Sequence, residues 1–289
     1  STTMSFSQKR LWFMDQLTDG FSSYNIPVAF SIQGHLKHDI LCSAFNTLLQ
    51  RHTVLRTVYA DVDGIPVQRV IDANDFQLPV VDLQHHATAE QQRIVKERSD
   101  AEAIQPFDLA KDLMLRASLL QLSASDSILL ITLHHIAADG WSIGILINEL
   151  NQLYTQTIEG QANRLPPLPI QYGDYAHWQA ERLQGERLEN ELNFWRQHLA
   201  DLPQIHQLPT DRPRSAQQSY QGAHHTHPID AATTQALKAQ CQAQGATLFM
   251  GLQAIFAAFL SRYSGEQDII IGTPVANRTP KDVEPLIGF

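Results

Sequence analysis

The sequence predicts a mixed α/β fold, in the α+β sense of a sheet with helices packed on it. Apolar, β-branched runs alternate with stretches of helical periodicity. Their spacing lacks the regular beat of βαβ units, and hairpins closed by short polar turns are interspersed among them. At 289 residues the chain can bury a sizeable core, enough for one large domain or two lobes.

The elements follow in order. In "SFSQKRLWFMDQL" the spacing of Phe6, Leu11, Trp12, Met14 and Leu17 predicts a helix over about Ser7–Leu17. "YNIPVAFSIQG" reads as a strand ended by Gly34, and "HDILCSAFNTLLQRH" as an amphipathic helix. "VLRTVYADVDGIPVQRVI" is a hairpin turning at Asp63-Gly64. Thr88 with Gln91 resembles a capping box that opens a polar helix to about Ile104. "LMLRASLLQLSASDSILLITL" gives two strands joined by a polar turn, and "SIGILINELNQLY" a helix with Ser142 as N-cap. A proline-rich crossing loop leads into a short helix at "YGDYAHW" and a charged one at "GERLENELNFWRQHLADL". A strand near His224–Ile229, helices near Ala231–Gln244 and Thr247–Tyr263, and a strand "DIIIGTPV" complete the chain. The proline-punctuated segment Leu202–Gly222 divides a first lobe, 1–200, from a shorter second one, 223–289, with 201–222 as the connection. The second lobe reads as incomplete and the N-terminus as cut from a longer chain.

Composition narrows the function. Apolar residues make up 43% and charged residues 18%, an ordinary globular balance. A net charge of −9 without a basic, aromatic-interleaved stripe argues against nucleic acid or an anionic membrane as partner. The longest apolar windows, Ile128–Leu133 and Leu248–Leu260, are too short or too polar to span a bilayer. The two cysteines, Cys42 and Cys241, lie in separate predicted helices, so no disulfide framework is expected and a reducing cytoplasm fits. There is no phosphate loop of Walker type, no G-x-G-x-x-G and no G-x-S-x-G.

One stretch stands out. In "ILLITLHHIAADGWS" a buried-type strand ends on His134-His135, followed by Asp139, Gly140 and Ser142. Neighbours on a strand point to opposite faces, so one imidazole can aim at a cleft as a general base while the other packs. A helix N-terminus behind Gly140 suits developing negative charge. A buried Asp139 demands a cation. The bland alternative is a solvated, inert pair. Two further pairs exist. His85-His86 reads as a solvated loop, and His224-His225 with His227 has alternating spacing but no cysteine or carboxylate set for a metal. No covalent nucleophile is evident, so a histidine here would help one substrate attack another.

"LHHIAADGWS" resembles the H-H-x-x-x-D-G motif of nonribosomal peptide synthetase condensation domains. Further matches occur in order: "SFSQKRLWFMDQL", "RHTVLRT", "YGDYAHWQ", "IGTPVANR" and the final "LIGF". The resemblance implies a chloramphenicol acetyltransferase-like fold of two lobes in a V, the second incomplete here. It implies amide formation by attack of an acceptor aminoacyl amine on a donor thioester. Both substrates ride on phosphopantetheine arms of partner carrier domains, beside an adenylation domain of the same synthetase, and no cofactor or metal is bound directly. Among the catalytic set His134, His135 and Gly140, it places the emphasis on His135, leaves His134 packing and puts Gly140 close to the substrates. Asp139 becomes structural, paired with Arg56, while Trp12, Tyr175 and Trp178 are core aromatics. Retention of both histidines disfavours heterocyclization domains, and the opening segment resembles domains joining an L-donor to an L-acceptor. An α-amino group has a pKa of about 8, so His135 is expected to position the amine and take its proton late. The alternatives are a truncated module that docks carriers without turnover and a stand-alone acyltransferase using acyl-CoA.

Overall fold

The computed structural model describes residues 2–18, 22–73, 75–203, 205–213, 216, 222, 223 and 225–289. β1 (Thr2–Thr3) precedes α1 (Phe6–Thr18), β2 (Asn25–Gln33), α2 (His38–Arg51), the hairpin β3 (Thr57–Val62) and β4 (Ile65–Val70), and β5 (Val80–Asp82). Then come α3 (Thr88–Ile104), β6 (Leu115–Gln121), β7 (Asp126–His134) and α4 (Gly140–Ile158). Helices α5 (Tyr172–Arg182), α6 (Gly185–His198), α7 (Ala231–Ala243) and α8 (Leu248–Ser264) follow. The chain divides into two compact units, Ser1–Leu188 with Ala276–Phe289, and Glu189–Val275.

The first unit is built on β7. It pairs antiparallel with β2 on one side and β6 on the other, and β5 joins β6 in parallel, giving the order β2-β7-β6-β5. β7 is a nearly unbroken apolar run because both of its faces are covered. Leu129, Ile131 and Leu133 join Phe45, Leu48 and Leu49 of α2 and Leu146, Leu150 and Leu153 of α4 in the main core. Leu130, with Ile128 beside it, packs with Leu83, Leu120 and Ile94 and Val95 of α3 in a smaller cluster. The second sheet, β1-β4-β3, carries the predicted hairpin. Asp63 and Gly64 adopt φ of 54° and 80°, the left-handed conformation that two-residue hairpin turns require.

Helix α1 opens on a reciprocal cap. The Ser5 N–H donates to Gln8 Oε1 at 2.9 Å and the Gln8 N–H to Ser5 Oγ at 3.1 Å. The Gln8 amide, fully buried, also donates to Tyr59 Oη at 3.1 Å and to the Ile136 carbonyl at 3.4 Å. The opening "S-x-x-Q" thus ties the first helix to the chain just after the double histidine.

Several expectations change. Helix α3 forms as read, but Ala87 is its N-cap without a side-chain cap, because the Gln91 amide donates to the Leu83 and Leu122 carbonyls instead. Ser142 is not the cap of α4: the helix starts at Gly140, with Asp139 as the cap. Helices α7 and α8 lie where the periodicity puts them, capped by Asp230 and Thr247. Neither Ile269–Val275 nor His225–Ile229 is a strand, and His224 lies outside the described residues. β-branched composition favours a strand only where a neighbour accepts its hydrogen bonds, and no described segment pairs with either stretch. Trp178 is 43% exposed and rests between Tyr175 and Arg182 instead of entering the core. No single described helix is long and apolar enough to cross a membrane.

Leu133 is fully buried immediately before the double histidine. Leu133→Ala is expected to lower the unfolding free energy by about 2–5 kcal/mol, measured by urea titration.

Candidate active site

The end of β7 splits the two histidines. His134 shares the face of Ile128, Leu130 and Thr132 and is 2% exposed. Its ring packs near-perpendicular to Phe107, with centroids 5.6 Å apart, and Nδ1 accepts the Ile136 N–H at 3.1 Å. Burial, reinforced by His135 and Arg116, depresses its pKa to about 4, so it is neutral at pH 7. His135 stands just past the strand, its N–H donating to the Tyr24 carbonyl at 2.8 Å. The residue is partly exposed, but Nδ1 is buried and has no hydrogen-bond partner among the described residues. The Phe289 ring lies 4.4 Å away, centroid to centroid, at 69° to the imidazole plane.

From His135 the chain dives through Ile136, Ala137 and Ala138, all fully buried, to Asp139. Asp139 Oδ1 accepts the Ser142 N–H at 2.9 Å and the Ser142 hydroxyl at 2.8 Å. Arg278 Nη2 reaches both carboxylate oxygens at 3.3 Å. Both members are largely buried, with side chains 7% (Arg278) and 15% (Asp139) exposed. Arg278 Nη2 also donates to the Gly288 carbonyl at 3.1 Å, and the Gly288 N–H donates to Ser142 Oγ at 3.0 Å. The turn "LIGF" is thereby fastened to the first turn of α4. Gly288 is required for that approach: a Cβ there would stand 2.1 Å from Tyr172 Cδ2. The Tyr172 hydroxyl bonds Ser5 Oγ at 3.1 Å and the Phe289 carbonyl.

The expected Arg56–Asp139 pair does not form. Arg56 donates from Nε to the Leu49 carbonyl at 3.0 Å and from Nη1 to the Ile71 carbonyl at 2.7 Å. Leu49 lies in the last turn of α2, where helix carbonyls have no intrahelical partner, and that demand holds the guanidinium. The remainder of "RHTVLRT" is spent on a second buried cluster. His52 Nε2 donates to Glu149 Oε2 at 2.7 Å, Arg51 Nε donates to Glu149 Oε1 at 3.0 Å, and His52 Nδ1 accepts the Ile287 N–H at 3.4 Å.

His134, His135, Asp139 and Gly140 thus sit within one turn of chain, whereas Arg56 is elsewhere. Gly140 is exposed at the first position of α4, and nothing lies within 4 Å of where a Cβ would stand. Sequence reasoning missed Arg278, Gly288 and Phe289. The signal was present, since a buried Asp139 demands a cation and "IGTPVANR" supplies one. His85 and His86 are exposed in the turn before α3, and the described residues contain no cluster of three metal-ligating side chains.

Helices packed on a mixed four-stranded sheet, with an inner strand that ends at the double histidine, define a mixed α/β domain. The structure superimposes on the X-domain from teicoplanin biosynthesis with a TM-score of 0.84 at 30% identity, covering 99% of this chain and 63% of that one. It also matches the first condensation domain of the CDA synthetase, TM-score 0.79, at 20% identity over 99% of this chain and 68% of that one. The family model for the condensation domain matches residues 1–289, and the chain belongs to that family. Among curated relatives it is 45% identical to malpibaldin synthetase of Mortierella alpina over 99% of this chain and 5% of that protein. It is 39% identical to the phosphinothricin tripeptide synthetase PhsC of Streptomyces viridochromogenes over 99% of this chain and 26% of that protein. The chain therefore spans a small part of the relatives it matches.

Because His134 is neutral when folded and binds a proton more readily when unfolded, the unfolded state gains protons first as pH falls. Stability should thus decline from pH 6.5 towards pH 4, by about 3 kcal/mol for this group. His134→Asn should remove that part of the slope in urea titrations at pH 7, 5.5 and 4.5. Arg278→Ala, which strands a buried carboxylate, should cost about 3–5 kcal/mol. A double-mutant cycle with Asp139→Asn should show coupling for Arg278 and none for Arg56.

Proposed function

We propose that this chain carries the amide-forming site of a nonribosomal peptide synthetase. There the amine of an acceptor aminoacyl thioester attacks the carbonyl of a donor thioester, and the donor carrier's thiol leaves. Both substrates arrive on phosphopantetheine arms of carrier domains, so the domain itself needs to hold no cofactor. An adenylation domain of the same synthetase would load the acceptor carrier, and the compartment is the cytoplasm.

The observation that carries this reading is the division of labour at the double histidine. His134 is buried and neutral, a structural ring. His135 buries Nδ1 and leaves Nε2 as the nitrogen available to a substrate. Among the described residues no carboxylate or carbonyl meets Nδ1, so the ring lacks the acid partner that ordinarily backs a general base. His135 therefore serves best by hydrogen-bonding and orienting the reacting groups. The proton leaves late, once attack has turned the amine into a far more acidic ammonium. Asp139 and Arg278 hold the helix start. Gly140 leaves space beside it.

A second reading is favoured by one neighbour: the X-domain of teicoplanin biosynthesis, 29% identical with a TM-score of 0.83, is solved in complex with OxyB. On that reading this chain docks a partner without turnover.

One experiment separates these. The full-length protein is given donor and acceptor carriers, both loaded, and the acceptor-bound product is followed by mass spectrometry. Amide product is expected, with His135→Ala reducing its rate by about 10²–10⁴-fold. Carrier binding without product supports docking alone. Product from free coenzyme A thioesters, with no donor carrier present, points to a stand-alone acyltransferase.

A further inference from the structure

A histidine that handles a proton or aims a hydrogen bond is ordinarily held by whatever bonds its second ring nitrogen. Among the described residues His135 has no such holder. Its Nδ1 is buried and unpartnered among the described residues. Asp139, the nearest acid in sequence, is occupied by Ser142 and Arg278. Glu149, a buried carboxylate in the middle of α4, is taken by Arg51 and His52. Something else must fix the angle of the imidazole about its side-chain bonds, since a freely rotating ring would carry Nε2 out of register with a substrate.

The ring contact recorded for His135 is the one with Phe289, centroids 4.4 Å apart and planes at 69°. Edge-to-face aromatic pairs of this kind prefer centroid separations of about 4.5–7 Å, and their geometry is specific because the edge of one ring meets the face of the other. Phe289 is itself held on several sides. Its carbonyl takes the Tyr172 hydroxyl, and Gly288 before it is clamped by Ser142 Oγ, by Arg278 and by the face of Tyr172. Ile287 is tied by its N–H to His52. A ring on so well anchored a segment is a rigid stop. We infer that Phe289 is a positioning residue for His135, setting the imidazole plane by aromatic packing where a carboxylate or carbonyl would ordinarily do so by hydrogen bonding.

This deepens the proposed function and rests on it, so the test includes a measurement that needs no turnover. Phe289→Leu keeps an apolar side chain and removes the flat ring, and Phe289→Tyr keeps the ring. In the full-length protein with histidine labelled by ¹³C and ¹⁵N, Phe289→Leu should move the His135 ring resonances and leave those of His134 in place. Phe289→Tyr should move them little. With loaded carriers, Phe289→Leu should lower kcat by roughly 10- to 100-fold, the loss that small misplacements of a reacting group produce, with KM for the acceptor carrier nearly unchanged. Phe289→Tyr should restore most of it. In the His135→Ala background, Phe289→Leu should have no further effect. Unmoved His135 resonances, or an equal rate loss with and without His135, would overturn the inference. Should the wild-type protein form no amide at all, the reading of its function fails, and the resonance shift still decides whether Phe289 sets the ring.

Discussion

The site depends on a single buried carboxylate. Asp139 caps α4 through Ser142 and meets Arg278 on its other side. Burying an ion pair brings little net stability over apolar packing, because both groups surrender their hydration. What it supplies is geometry. A carboxylate that must be satisfied by one helix N–H, one hydroxyl and one guanidinium admits few arrangements of the three segments that carry them. The end of β7, the start of α4 and the turn "LIGF" are thereby placed together. The open position at Gly140 and the half-buried His135 follow from that placement.

The two histidines show how one sequence pattern yields unlike chemistry. Both follow the same apolar strand, yet one sits among Phe107 and Tyr24 with its pKa lowered by burial, while the other stands just past the end of β7. The difference arises from a single peptide of alternation and from the coverage of both faces of β7. A sheet with one solvated face would have left the first histidine hydrated and ordinary.

Much of this was legible beforehand. Helix positions, the β3–β4 hairpin and the end of β7 follow from periodicity and turn residues, which are local properties. What failed was non-local. Arg56 and Arg278 are equally plausible cations for Asp139 on composition. The deciding fact is that the carbonyls of Leu49, at the end of α2, and of Ile71 claim Arg56, which no linear spacing reveals. The apolar stretch at Ile269–Ile271 failed for a related reason, since a strand is a property of two segments and only one was being read. Ser142 looked like a cap because serine before a helix often is one. In the fold its hydroxyl lies inside the first turn, where it receives Gly288.

The chain returns to its first unit only at Ala276, after the whole of Glu189–Val275 has been laid down elsewhere. Asp139 and Arg278 are separated by 139 residues. At ribosomal rates of roughly 5–20 residues per second, the acid is made roughly 7–28 s before its base. Over that interval the helix start behind the double histidine has its aspartate cap but not the counter-charge to it. The ion pair therefore forms well after both histidines have been made. Until Arg278 is made, the carboxylate that caps α4 has no cation to meet, and the turn at Gly288 has no guanidinium to fasten it.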